Sequence, residues 1–138
     1  MLTSPCLHGL ENQSIFGVSP ISQPVVTAIH WLERLVAMDT SNGSGDEVAC
    51  VEYLKAALAA HNPDTLVCET MPRSRGKSDS AYVMAAWGAP KILLNVHIDT
   101  VPSGEGWTDD PLTLRREGER LICLGSSDIK GAAAWILA

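Results

Sequence analysis

The chain has 138 residues, enough for one ordinary domain and too few for two well-filled ones. Apolar residues make up 46% and charged residues 19% of the sequence, a balance typical of globular chains and not of disordered chains or fibres. Ten Lys and Arg against sixteen Asp and Glu give a formal net charge of −6, which favours neither a basic face nor nucleic acid as a partner. No apolar run approaches the roughly eighteen residues of a membrane span, so we expect no membrane partner.

Residues 1–23 are predicted to form a poorly ordered leader. Ser, Pro and Gly interrupt this stretch, and no Lys or Arg precedes Arg34, so the basic region and apolar core of a secretory signal are missing. We therefore expect a cytoplasmic protein. Its four scattered cysteines form no C-x-x-C pair, which favours reduced and mostly buried thiols: Cys6, Cys50, Cys68 and Cys123.

Two helices are predicted after the leader. The first covers about 24–38, where Pro24 suits the first turn and apolar residues recur at helical spacing. Turn-forming residues fill 39–45, and a polar residue at the end of that stretch can cap the next helix. The second helix covers about 46–60, with acidic residues at the positive end of its dipole.

Short strands are predicted at 66–71, 81–87, 112–114 and 121–124, with the strongest candidate at 91–98. The last of these segments, KILLNVHI, is almost continuously apolar, as is typical of a strand covered on both faces. Two helices that lead into a buried central strand predict an α/β layered domain.

The C-terminal segment resembles the start of a helix, with Ser127 or Asp128 as its N-cap and an apolar stretch over 131–137. That stretch reaches Ala138 without a cap or a polar tail, which natural helices usually have. We therefore expect the chain to be part of a longer protein.

Three side chains form a candidate metal site. His97 and Asp99 lie two positions apart in the predicted strand, so they share a face at its end, where α/β sheets place their ligands. A neutral imidazole binds zinc, and a neighbouring carboxylate can fix its tautomer. Asp128 follows at a strand-to-helix junction, where a carboxylate can bridge two cations. Taken singly, His97 and Asp99 are more often a satisfied histidine and a polar strand end, and Asp128 is more often a helix cap.

The segments NVHIDTVPSGEGWTDDPL and RLICLGSSDIKGAAA together resemble the zinc-dependent metallopeptidase and deacylase family. Its members include acetylornithine deacetylase, succinyl-diaminopimelate desuccinylase, aminoacylase and glutamate carboxypeptidase. The resemblance covers about residues 25–138 and includes the motifs H-x-D-T-V-P, G-W-x-x-D-P and D-I-K-G. It implies that 24–138 is the N-terminal portion of a three-layer α/β zinc-hydrolase catalytic domain, which is truncated here.

The same resemblance implies a role for each candidate residue. His97 would bind one zinc ion, Asp128 would bridge two, with Co²⁺ as a possible substitute, and Asp99 would orient His97 as the catalytic carboxylate. Family members place the general base, a Glu, and the remaining ligands downstream of the aspartate segment. None of those residues falls within this chain, so we expect it to be inactive alone.

Some positions depart from the family pattern and indicate a branch. Val96 precedes the motif histidine where many members have Gly, and Leu112 replaces a frequent Phe. These features are most similar to the acetylornithine and acetylcitrulline deacetylases of arginine biosynthesis. The implied substrate is a small N-acyl amino acid, and family members often form homodimers through a domain that this chain does not contain.

Several alternatives stay open. Within the family, the chain could be part of a succinyl-diaminopimelate desuccinylase or of a carboxypeptidase. As an alternative of another class, it could be a non-catalytic fragment or an interaction module. A nucleotide-binding domain is disfavoured because no glycine-rich phosphate loop follows a strand. The polar run 73–77 is expected to be a solvated loop and not an anion contact, and His8, His30 and His61 show no ligand spacing.

Overall fold

The computed structural model describes residues 23–73 and 79–138, so the predicted leader, except Gln23, and the polar run after Arg73 lie outside the described residues. Within this part, no helix has both the length and the apolar character that crossing a membrane requires. In chain order, the elements are α1 (Gln23–Val36), α2 (Glu47–Ala59), β1 (Thr65–Met71), β2 (Ser80–Ala86), β3 (Arg115–Glu117), β4 (Arg120–Ile122) and α3 (Gly131–Leu137).

Both predicted helices are confirmed, and each ends within two residues of its expected bounds. The apolar stripe of α1 is buried at its C-terminal half, where Leu35 and Val36 are fully covered. Helix α2 begins behind Asp46, whose carboxylate accepts a hydrogen bond from the Ala49 N–H at 2.9 Å. Such a cap satisfies an N–H group that has no partner within the helix; it lies one residue after the turn 39–45 that was expected to supply it, at a position predicted to be the first of the helix.

The predicted strands at 66–71 and 81–87 are confirmed as β1 and β2. They pair antiparallel, with Thr65 opposite Ala86 and Met71 opposite Ser80, and this sheet packs on α2.

The second pair of strands lies later than predicted. A strand at 112–114 is wrong, because the Asp110 carboxylate accepts from the Leu112 N–H at 3.0 Å and from the Thr113 hydroxyl at 2.9 Å, which holds this stretch as a turn. The strand is instead β3, which pairs antiparallel with β4. The strand predicted at 121–124 is confirmed only in part, since β4 ends at Ile122.

The buried central strand predicted at 91–98 is wrong for this chain. Ile92, Leu93 and Leu94 are 80%, 80% and 66% exposed, because no described segment pairs with these three residues or covers them, whereas Val96 and Ile98 at the end of the stretch pack against the core. Backbone pairing occurs only beyond the stretch, at Thr100: its N–H donates to the Thr40 carbonyl at 3.1 Å, and its carbonyl accepts from the Asn42 N–H at 2.8 Å. The α/β expectation is therefore confirmed only at the coarse level of helices with two small antiparallel sheets.

The hydrophobic core lies between the helices. Helix α3 packs on α1, and both contact the turn that precedes α3. The buried core residues are Leu32, Leu35, Val36, Cys50, Leu54, Cys123, Ala133 and Ala134. The expectation of reduced thiols holds for the three described cysteines, which are free: Cys50 and Cys123 are buried, and Cys68 is half-buried.

Candidate functional site

His97 and Asp99 lie on one face of the extended segment, as their spacing predicts. Val96 and Ile98 pack against the core, so the alternating side chains of His97 and Asp99 point away from it. The His97 Nδ1 atom lies 3.2 Å from Asp99 Oδ1 and 3.2 Å from the Asp99 carbonyl oxygen. Both neighbours of Nδ1 are acceptors, so the tautomer that carries its proton on Nδ1 donates to Asp99.

Asp128 lies in a wide turn, Ser126–Lys130, which the Lys130 N–H closes by donating to the Gly125 carbonyl at 2.9 Å. Gly125 has φ +76°, and a Cβ there would come within 2.7 Å of the Thr100 methyl carbon, so glycine is required. The Asp128–Ile129 peptide bond is cis.

The prediction that Ser127 or Asp128 caps the last helix is wrong. Helix α3 begins at Gly131 behind Lys130, with no side-chain cap. Asp128 has φ −130° and ψ 88°, a non-helical conformation that leaves its carboxylate 82% exposed. The side chain is therefore free of the helix terminus and faces solvent beside His97.

The structure brings all three predicted site residues together. His97 Nε2 lies 3.1 Å from Asp128 Oδ1, so the imidazole stands between two carboxylates, one at each ring nitrogen. The His97 side chain is 49% exposed, which leaves the cluster open to solvent.

The spacing of these donors fits one part of a zinc site. Two ligands of a tetrahedral zinc, at bond lengths of about 2.0–2.2 Å, stand roughly 3.3 Å apart, close to the separation of His97 Nε2 and Asp128 Oδ1. With Nδ1 as donor, the Nε2 lone pair faces the Asp128 carboxylate, and a cation bound between them satisfies both. Asp99 Oδ1 lies at the other ring nitrogen, the side from which a carboxylate orients a histidine in known metal sites.

The fit extends to two ligands and no further. Across residues 23–73 and 79–138, no group of three or more His, Cys, Asp or Glu side chains is arranged to hold a metal ion. A catalytic zinc takes about three protein ligands. The general base and further ligands that the family resemblance implies therefore have no counterpart in the described part of the chain.

Sequence reasoning missed Asn42. Its Nδ2 donates to Asp99 Oδ2 at 2.9 Å, and its Oδ1 accepts from Arg73 Nη1 at 3.3 Å. The composition of the turn around Asn42 predicted only a loop. Nothing in the nearby sequence, including the acidic pair Asp46–Glu47, indicated that Arg73 would contact Asn42. The hydrogen bonds join residues 57 and 31 positions apart, which no local pattern reveals.

The run 73–77 was expected to be a solvated loop. Arg73 is the one residue of this run that the structure describes, and for Arg73 the expectation is wrong. Its guanidinium pairs with Glu47 and donates to the Ser80 hydroxyl. The Arg73 side chain is 25% exposed and that of Glu47 is 7% exposed, so this pair lies largely within the protein.

Comparison with known proteins identifies relatives over most of the chain, although no protein-family model matches it. N-acetyl-L-citrulline deacetylase of Xanthomonas campestris pv. campestris is 36% identical over 118 residues, which cover 83% of this chain and 30% of that enzyme. Acetylornithine deacetylases of Proteus mirabilis and Salmonella paratyphi B are 40% and 49% identical over 70 residues, which cover 50% of this chain and 18% of each enzyme. The chain thus spans less than a third of the length of these relatives. The resemblance predicted from the motifs is confirmed: the chain is related to the acetylornithine and N-acetyl-L-citrulline deacetylases.

Proposed function

We propose that this chain carries the first part of the metal centre of a deacetylase that hydrolyses the amide bond of an N-acyl amino acid, in arginine biosynthesis. The single observation that carries the proposal is the convergence of His97, Asp99 and Asp128 within 3.2 Å contacts. The names of the relatives support the same substrate class, since they are deacetylases of acetylornithine and acetylcitrulline.

In this proposal, His97 Nε2 and the Asp128 carboxylate hold Zn²⁺, for which Co²⁺ can substitute. When bound, the metal supplies an activated water and polarises the acyl carbonyl. Asp99 holds the Nδ1 proton of His97, so that the Nε2 lone pair is presented to the ion. The exposed Asp128 carboxylate has a second oxygen available for a second ion.

The same proposal covers the domain organisation. Residues 24–138 would be the N-terminal portion of a three-layer α/β catalytic domain, preceded by a leader over 1–23. The apolar, extended stretch 91–97 would then be a strand of the larger sheet, which explains its strand-like composition despite its exposure.

Zinc binding tests the proposal. The 138-residue chain is expected to bind Zn²⁺ weakly, and His97→Gln or Asp128→Asn is expected to lower the affinity at least tenfold, because each removes one of two ligands. Affinity is measured by competition with a fluorescent zinc chelator. Glu33→Gln on α1 is the matched control, since it removes the same charge as Asp128→Asn from an exposed side chain away from the cluster, and it should leave the affinity unchanged.

Two outcomes would contradict the proposal. Unchanged zinc affinity in both site variants would show that His97 and Asp128 do not hold the ion. Hydrolysis of N-acetylornithine by the zinc-loaded 138-residue chain would show that no general base or ligand beyond these residues is needed.

A non-catalytic interaction module is the second candidate, and the exposed side chains of Ile92, Leu93 and Leu94 favour it. An interaction module predicts a different result in the zinc-binding experiment, because binding would be negligible in the unaltered chain and in both variants.

A further inference from the structure

Both oxygens of the Asp99 carboxylate have partners. Oδ1 lies 3.2 Å from His97 Nδ1, and Oδ2 accepts a hydrogen bond from Asn42 Nδ2 at 2.9 Å. The terminal torsion of an aspartate is soft, so a carboxylate with one partner can rotate away from it. Holding the second oxygen fixes the plane of the carboxylate and therefore the direction in which Oδ1 faces the imidazole.

Asn42 is itself held at three atoms. Its backbone N–H donates to the Thr100 carbonyl at 2.8 Å, within the short parallel pairing of 40–42 with the residues around Thr100. That pairing places the Asn42 side chain beside Asp99. The Arg73 guanidinium donates to Asn42 Oδ1, and because guanidinium has only donors, the amide nitrogen must be the end that faces Asp99.

Arg73 is oriented in turn by partners on two other elements. Its Nη2 pairs with Glu47 in the first turn of α2, and its Nε donates to Ser80 at the start of β2. Since the Glu47 side chain is only 7% exposed, the charge pair is less screened than a surface pair would be. A continuous polar chain therefore connects Glu47, Arg73, Asn42, Asp99 and His97.

We propose that Asn42 is a positioning residue of the metal centre: oriented by the Arg73–Glu47 pair, it fixes the Asp99 carboxylate that aims His97 at the ion. The proposal rests on the proposed function for the metal itself. A purely structural role for Asn42 would tie the turn to its neighbours without a selective effect on His97. The two roles differ in what they do to zinc affinity and to the imidazole.

A double-mutant cycle on zinc affinity tests whether Asn42 acts through Asp99. Asp99→Asn is expected to weaken zinc binding by about 10- to 100-fold, as loss of a partner to a metal-binding histidine typically does. Asn42→Ala, one step further out, is expected to weaken it by about 3- to 10-fold, and by less than about twofold when Asp99→Asn is already present.

Asn95→Ala is the matched control for Asn42→Ala. Asn95 is an exposed asparagine on the same extended segment, two positions before His97, and it makes no hydrogen bond to any residue that the structure describes. Arg73→Lys keeps a cation beside Glu47 but lacks the planar fork that reaches three partners, so its zinc affinity should fall between those of the unaltered chain and Asn42→Ala. The proposal would be overturned if Asn42→Ala weakened zinc binding by the same factor in the unaltered chain and in the Asp99→Asn variant.

A readout without metal separates this proposal from the proposed function. In the metal-free chain labelled with ¹⁵N-histidine, at about pH 8.5 where an ordinary imidazole is neutral, the ring-nitrogen shifts should place the His97 proton on Nδ1. Asn42→Ala should move part of the population to the Nε2–H tautomer, whereas Asn95→Ala should not. His97→Gln assigns the signals among the four histidines.

The two results together decide between the proposals. A tautomer shift in Asn42→Ala, with no zinc binding by the unaltered chain, would sustain the positioning role and refute the metal centre. Zinc binding that depends on His97, with neither affinity nor tautomer responding to Asn42→Ala, would sustain the metal centre and refute the positioning role.

Discussion

Lys130 is buried with its charge directed at the end of a helix. Its side chain is 1% exposed, and Nζ donates to the Leu35 carbonyl at 2.9 Å and to the Met38 carbonyl at 2.8 Å. These oxygens belong to the last turn of α1 and the residues just after it, where carbonyls lack partners within the helix and the dipole is negative. Burial lowers the pKa of the Lys130 ammonium, which the two carbonyls stabilise. Through these two hydrogen bonds, Lys130 connects α1 to the turn in which Asp128 lies.

Replacing this lysine should destabilise the fold. Lys130→Met keeps the length of the side chain but leaves two carbonyls without a donor, so we expect the free energy of unfolding to fall by about 2–4 kcal/mol. Urea unfolding followed by circular dichroism measures the change. Lys91→Met, on an exposed lysine, is the control and should cost less than about 0.5 kcal/mol. A similar small loss for Lys130→Met would show that the buried ammonium contributes little.

Cys50 gives the fold a dependence on alkaline pH. Burial raises the pKa of this thiol to about 11, whereas in the unfolded chain it ionises near the ordinary value of about 8.5. Because the folded-state pKa is the higher one, the stabilisation is fully present below the unfolded value and is lost as pH rises toward 11.

The expected effect is seen by comparing the unaltered chain with Cys50→Ala. Between about pH 8 and 11, the free energy of unfolding of the unaltered chain should fall by about 2–3 kcal/mol more than that of the variant. Denaturation under reducing conditions at several pH values measures both. Parallel curves would mean that the buried thiol does not control this pH range.

At the scale of elements, the sequence predicts what is local and misses what is paired at a distance. Helices α1 and α2 follow from apolar spacing, and the strands β1 and β2 follow from their composition. The strand predicted at 91–98 fails because a strand also needs neighbours, which the described chain supplies only near Thr100. His97 and Asp99 could be paired from a two-residue period, but Arg73 and Asn42 meet only through the tertiary fold.

The turn over 39–45 is the element that positions Asn42, and Gly45 sets its shape. A Cβ at Gly45 would lie 2.3 Å from the Ser41 backbone nitrogen, so any side chain must displace this turn. Gly45→Ala is expected to cost about 1–3 kcal/mol of unfolding free energy, as overpacking typically does, and to weaken zinc binding as Asn42→Ala does. Thermal unfolding and the zinc competition assay measure the two effects.

Gly104→Ala is the control for this prediction, because nothing lies within 4 Å of the Cβ it would add. It should leave stability and zinc affinity nearly unchanged. A Gly45→Ala variant as stable as the Gly104→Ala variant would show that the turn adapts without moving Asn42.

In the whole molecule, the exposed extended stretch 91–97 is the segment that most favours association between chains. Its backbone is unpaired within the described chain, and its three consecutive apolar side chains at 92–94 are exposed. Unpaired, apolar strand edges with little charge promote association between chains. The net charge of −6 opposes that association through long-range repulsion, which salt screens.

We therefore expect the chain to self-associate in a manner that increases with concentration and with salt, and Leu93→Lys to suppress it. Since Leu93 is 80% exposed, the substitution should leave the melting temperature of the folded monomer nearly unchanged. Val101→Lys, at a position 68% exposed and outside the run, makes the same change in charge and is the control. Sedimentation velocity over a range of concentrations measures the association. Each substitution changes the net charge from −6 to −5, which weakens the repulsion between chains and by itself favours association. Suppression by Leu93→Lys alone would therefore assign the association to pairing along 91–97, whereas equal suppression by both substitutions would contradict that assignment.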